Sequence, residues 1–157
     1  MNKLLLVFTL FFTSIGYAKD YDLLYLASGF NDVKKRNKAT EFRLEYKFHQ
    51  KLGVMKPLLG FSITSKFQTY TYGGFALDFV FRHLALAPNF AAGYYNKGDG
   101  KDLGFPLEFR TGIEAAALFK NEMRIGIHIS HTSNASLGRK NPGLETLVFL
   151  IAIPLKY

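Results

Sequence analysis

Cysteine is absent from all 157 residues, which excludes a disulfide framework and any thiolate chemistry. A sustained 3.6-residue apolar period is absent after residue 20, so helices are not the building elements. No Gly-x-Ser-x-Gly elbow occurs, so serine chemistry would have to be built on another scaffold. Histidines and carboxylates at metal-ligand spacing are absent as well, and Gly98-Asp99-Gly100 is too sparse for a calcium loop. No metal and no cofactor is implied. The one apolar run near the start, Leu4 to Phe12, is too short to span a bilayer as a helix.

That run follows Met1-Asn2-Lys3 and precedes a polar break and Gly16-Tyr17-Ala18. A positive start, a short apolar stretch and small residues at the end describe a secretory signal peptide. Residues 1–18 are therefore expected to be removed, leaving one domain over 19–157. Twenty Lys and Arg stand against twelve Asp and Glu, a formal charge of +8. An exported basic chain points to an anionic membrane surface or phosphorylated lipid as its partner, and away from nucleic acid.

Alternation is what the chain does have. Phe42, Leu44, Tyr46 and Phe48 interleave with Glu41, Arg43, Glu45 and Lys47. Phe105, Leu107, Phe109 and Ile113 interleave with Glu108, Arg110 and Glu114, and Met123, Ile125, Ile127 and Ile129 with Glu122, Arg124, Gly126 and His128. Phe75, Leu77, Phe79 and Phe81 alternate with Gly74, Ala76, Asp78 and Arg82. A soluble sheet would bury its apolar side. Here the apolar sides are large and aromatic, while the opposite sides mix small residues with charges of both signs. Apolar residues facing lipid and polar residues facing a lumen give that pattern.

The expected fold is all-β: an eight-stranded antiparallel transmembrane β-barrel of the bacterial outer membrane, with strands near 22–30, 40–49, 56–66, 69–82, 85–95, 104–118, 122–133 and 143–157. The last of these, ending FLIAIPLKY, carries Phe149, Ile151, Ile153, Leu155 and Tyr157 on one parity, although Val148, Leu150 and Ala152 on the other are apolar too. With both termini periplasmic, 31–39, 64–69, 96–103 and 134–142 become the outer loops. Eight strands enclose only enough space for their own side chains. The inward Glu41, Arg43, Glu45, Lys47, Asp78, Arg82, Glu108, Arg110, Glu114, Glu122 and Arg124 thus form a neutralising network, since buried charges must pair. A pore or a lumen enzyme is disfavoured.

The stretch HISHTSNASLGRKNPGLETL, residues 128–147, concentrates the reactive side chains. Extending the parity of the seventh strand puts His131 and Ser133 outward and His128 inward. Extending the eighth strand backward puts Glu145 outward too. Residues two apart on a strand lie about 6.6–6.8 Å apart on one face, and Glu145 comes from the neighbouring strand. Histidine can take a serine proton as base, and a carboxylate can fix the tautomer of the ring. The intervening NASLGRKNPG can offer amide donors to an oxyanion, although Asn-Pro-Gly is also an ordinary turn.

HTSNASLGRKNPGLE resembles the active-site signature of the outer-membrane lipid A 3-O-deacylases, the PagL family. The match covers His131, Ser133 and Asn134, then Asn141 through Glu145, with the same spacing. The resemblance implies a small eight-stranded barrel that removes the ester-linked acyl chain at the 3-position of lipid A. It implies a triad of His131, Ser133 and Glu145, with Asn141 helping to form the oxyanion hole. Lys34, Lys35, Arg36 and Lys38, then Lys66, Lys97 and Lys101, then Arg139 and Lys140 make the outer loops basic. They are candidates for holding lipid phosphates by charge-assisted bonds. Two rivals stay open: a non-enzymatic barrel for adhesion or envelope stability, and an acyl transferase that releases no free fatty acid. Monomer and homodimer are equally open.

Overall fold

The structure, a computed structural model, describes residues 21–33 and 38–155. The signal segment, Lys34, Lys35, Arg36 and Tyr157 lie outside the described residues. Nine strand segments follow one another: β1 (Asp22–Asn31), β2 (Ala39–Lys47), β3 (Lys56–Thr64), β4 (Thr69–Ala76), β5 (Phe79–Phe81), β6 (Leu84–Asn96), β7 (Leu107–Leu118), β8 (Arg124–Ser133) and β9 (Leu144–Leu155). All pairings are antiparallel and join sequence neighbours, except that β4 and β5 do not pair with each other and both pair with β6. β1 also pairs with β9, from Asp22↔Leu155 to Asn31↔Thr146, and closes the ring. A closed sheet has no unpaired edge, which is what lets strands sit in lipid.

β4 and β5 are one crossing of the wall, so the barrel has the expected eight strands. The register runs unbroken through the gap, from Ala76↔Asn89 to Phe79↔Leu86. Opposite Leu77 in that register stands Pro88. Leu77 N–H donates to the Pro88 carbonyl at 3.0 Å, but proline has no N–H to return the bond. The ladder therefore skips there while the strand continues. Other ends differ by a few residues. β8 begins at Arg124 because Glu122 sits in a turn at φ 69, and β9 begins after Gly143, at φ 63.

Side-chain direction follows the alternation. Phe42, Leu44, Ile125, Ile129, Phe149 and Ile151 are exposed on the outer wall, while Glu41, Arg43, Glu45, Lys47, Glu108, Arg110, Glu114 and Arg124 are buried inside. Most of these interior charges pair, since an uncompensated buried charge is costly. Glu108 is the exception, neither of its carboxylate oxygens having a hydrogen-bond partner among the described residues. Arg43 lies 2.6 Å from Glu41, Arg110 lies 2.9 Å from Glu45, and Lys47 lies 3.2 Å from Glu114. Asp78 collects Arg124 at 3.0 Å, Lys56 at 3.2 Å and Lys47 at 3.4 Å. Two expected members are elsewhere: Arg82 and Glu122 occupy turns with φ 55 and 69, beyond the strand ends, where their side chains leave the lumen. Lys56 joins the network instead.

The interior is not wholly polar. Leu23, Tyr25, Ala116, Leu150 and Ala152 form one apolar cluster, and Leu58, Tyr70, Tyr72, Tyr95, Leu103 and Leu144 belong to another. This explains the imperfect alternation of β9, whose inward parity packs against β1. Space is made locally: a Cβ at Gly60 would stand 2.2 Å from Cζ of Tyr72, so glycine there admits the tyrosine ring that stacks under Arg110 at 3.9 Å. The filled lumen is a core and not a channel.

Candidate functional site

β8 carries His131 and Ser133 on the outer face, and β9 carries Glu145. His131 and Glu145 are direct cross-strand partners, and Ser133 stands opposite Phe109 of β7. The side chains of His131 and Glu145 are 49% and 26% exposed, whereas Ser130, Thr132 and Thr146 on the other parity are buried. His131 Nδ1 lies 3.5 Å from Glu145 Oε1, an ion-pair distance longer than a good hydrogen bond. Among the described residues no hydrogen bond joins the Ser133 hydroxyl to His131. Catalytic contacts are often loose without substrate and tighten when it binds.

The ring of His131 rests on backbone. A Cβ at Gly143 would meet His131 Cε1 at 2.6 Å and Nε2 at 3.4 Å, and Gly143 holds φ 63. Both facts demand glycine: an L side chain there would be strained and would push the imidazole off its seat.

The loop between β8 and β9 folds back on Asn134. Its side-chain amide donates to the carbonyls of Leu103 at 2.7 Å and Lys140 at 2.9 Å. Its backbone N–H donates to Asn141 Oδ1 at 3.2 Å. With its oxygen engaged in this way, the exposed Asn141 amide has its NH₂ end as the donor left to offer. Sequence reasoning matched Asn134 and Gly143 within the motif but assigned neither a role. A chain turning back over ten residues leaves no periodic signal for such contacts.

His128, three residues before His131, is buried inside. Arg43 Nη1 lies 2.8 Å from its Nδ1 and Asn89 Oδ1 lies 3.2 Å from its Nε2. A guanidinium can only donate, so Nδ1 accepts and the ring proton sits on Nε2.

The basic residues divide. Lys38, Arg139 and Lys140 are exposed. Lys97 and Lys140 flank Asp102 at 3.6 and 3.1 Å, and the Lys140 hydrogen bond holds the Asp102 carboxyl below its ordinary range. Arg139 and Lys140 line an open concavity of about 620 Å³ with Phe105 and Leu137, immediately before Asn141. Lys101 is the exception. It is 13% exposed and bound to Asp32 at 2.9 Å, which removes it from the free outer cations. Among the described residues no group of three or more histidines and carboxylates is placed to hold a metal.

The fold and the site define a class: a small closed barrel that carries a cluster of polar side chains on the outer face of its wall. The sequence pattern of the lipid A 3-O-deacylases (PagL) matches residues 35–154, and the chain belongs to that family. The crystal structure of the outer membrane enzyme PagL superposes with a TM-score of 0.65 at 19% identity, covering 85% of this chain and 99% of that one. The outer membrane protein Ail of Yersinia pestis, in a phospholipid bilayer nanodisc, superposes with a TM-score of 0.49 at 11% identity, over 85% of this chain and 99% of that chain. Among curated proteins none matches the sequence significantly. The protein is an outer-membrane lipid A deacylase, and the reading as a non-enzymatic barrel is not favoured.

Proposed function

We propose that deacylation runs through Ser133, His131 and Glu145. Ser133 Oγ attacks the carbonyl of the 3-O-linked acyl ester while His131 takes its proton. Glu145 orients the imidazole and stabilises the imidazolium. The tetrahedral oxyanion is met by the Asn141 NH₂ and neighbouring backbone amides, donors held in place before the charge develops. Collapse expels the sugar 3-oxygen, to which His131 returns the proton. Water, activated by the same histidine, then releases the fatty acid from Ser133.

The observation that carries this reading is the pairing of His131 with Glu145 across β8 and β9 on the lipid-facing side, with Ser133 two residues on. An ester at the top of the acyl layer reaches such a site without leaving the membrane. Below it the wall is apolar: Phe149, on the same face and strand as Glu145, lies about 13 Å further along, beside a groove of about 750 Å³ that includes Leu26, Phe42, Leu44 and Ile151. The substrate's acyl chains pack along this surface. Arg139 and Lys140, with Lys38 and the adjoining Lys34, Lys35 and Arg36, hold its phosphates.

Mass spectrometry of lipid A from cells making the wild type or Ser133→Ala tests the reaction. The wild type should release one free fatty acid per lipid and leave the 3-position bare, and the variant should leave lipid A intact. Deacylated lipid A from Ser133→Ala cells would sink the serine mechanism, and transfer of the chain to another lipid would make the protein an acyl transferase.

A further inference from the structure

Three outer loops meet behind His131, and one largely covered lysine joins them. Lys101 lies in the loop between β6 and β7. Its ammonium is bonded to Asp32 Oδ1 at 2.9 Å, with side-chain exposures of 13% and 3%, and it donates to the backbone carbonyl of Gly143 in a short hydrogen bond. Asp32, just past β1, holds φ 58. The next residue, Val33, donates its N–H to the Glu145 carbonyl at 3.1 Å. The Lys101 backbone is anchored in turn: Tyr95 Oη donates to its carbonyl at 2.7 Å and receives the Gln68 amide at 2.6 Å.

Lysine is rarely buried, and then only where it is paired. Lys97 and Lys140 show the ordinary case, at 58% and 57% exposure around Asp102. Lys101 differs in its place as well as its burial. The carbonyl it grips belongs to the glycine on which the His131 ring rests, 2.6 Å from Cε1 to the site of a Cβ. Glycine is also the most freely rotating residue in any loop. Unless its carbonyl is held, the seat of the imidazole has little to fix it.

We propose that Lys101 and Asp32 are positioning residues for catalysis, a strap that pins Gly143 and so sets the His131 ring against Glu145 and Ser133. The proposal rests on His131 being the catalytic base. It assigns Lys101 to the protein's own backbone and not to substrate phosphate. The strap acts on kcat: a reacting group displaced by about 1 Å from the productive geometry loses on the order of 10²-fold in rate. Asp32 neutralises the ammonium, so removing either partner alone leaves a buried charge uncompensated.

The test uses the full-length protein folded in detergent micelles, with lipid A and dephosphorylated lipid A as the two substrates. Lys101→Met should lower kcat by about 10²-fold on both, with KM within about twofold of wild type. Lys101→Arg, which can still reach a carboxylate and a carbonyl, should recover most of the rate. Should Lys101→Met fail to fold, the double variant Asp32→Asn/Lys101→Met carries no unpaired charge and should fold and be equally slow. A folded Lys101→Met or double variant with wild-type kcat overturns the strap. So does a loss confined to KM on phosphorylated lipid A, since that would make Lys101 a phosphate ligand. Ser133→Ala is measured in the same series. An inactive Ser133→Ala beside a fully active Lys101→Met rejects the strap alone, whereas an active Ser133→Ala rejects the triad on which it rests.

Discussion

His128 and His131 stand three residues apart on one strand and live in different solvents. His128 points into the lumen, where Arg43 and Asn89 hold both of its nitrogens. His131 points through the wall, half exposed, with a carboxylate on one side and a glycine beneath it. The residue type is the same and the chemistry open to it is not. Inside, a ring proton placed by a guanidinium serves packing and charge balance. Outside, the ring faces the layer in which an acyl ester lies, with a hydroxyl two residues away. An odd step along a strand changes the face, and the face decides what the imidazole does.

The comparison breaks most readily at the outer site. Ser133→Ala and His131→Ala should each cut fatty acid release by about 10⁴-fold or more, and the double variant should be little worse, because members of a triad act as a unit. Glu145→Ala should also be severe but less so, since the ring keeps part of its orientation. A His128→Ala variant as inactive as His131→Ala would show that the two faces have been exchanged.

Asn141→Ala comes next, with an expected loss of about 10²–10³ in kcat if its NH₂ is a main oxyanion donor. A smaller loss in single-turnover deacylation assays would shift that role to backbone amides.

On the inner side the expected effect is on stability and not on rate. Arg43→Met strands the buried Glu41 carboxylate and should destabilise the barrel by about 3–5 kcal/mol. His128→Ala removes a neutral partner and should cost about 1–3 kcal/mol. Urea unfolding of the barrel in lipid vesicles measures both, and the deacylation rate of the folded protein should stay close to wild type.

Smallest of all is the loop pair at Asp102. Its carboxyl is held low by Lys140, so the pair contributes above the ordinary carboxylate range and is lost as the pH falls through the lowered value. Asp102→Asn should remove that acid dependence while leaving the melting temperature at neutral pH nearly unchanged, because the group is exposed and screened by water. A large drop at neutral pH would mean that the loop depends on this pair.

The barrel was legible because alternation is a local property: two neighbours suffice to say that Phe42 and Arg43 face opposite ways. The same parity rule put His131, Ser133 and Glu145 on one face and His128 on the other. Where a turn interrupts the strand the rule stops, and so Arg82 and Glu122 were expected in the lumen when each sits at positive φ in a turn. The gap at Leu77 and Asp78 was not legible either, since it depends on which residue of another strand, Pro88, comes to lie opposite.

By itself the sequence determined the two faces of the wall and the candidate site residues, which follow from period-two geometry and from side-chain chemistry. The count of eight needed in addition that an even-numbered barrel close, because 22–30 and 85–95 are weakly patterned. Only the tertiary structure decided how the loops meet. Lys101 is indistinguishable from Lys97 along the chain, yet one is drawn in against Asp32 and the Gly143 carbonyl and the other lies at the surface. Asn134 turns Asn141 by a contact across seven residues. Which loop residue ends beneath an imidazole depends on closure of the barrel, which brings β1, β7 and β9 to one rim, and no period in the sequence records that meeting.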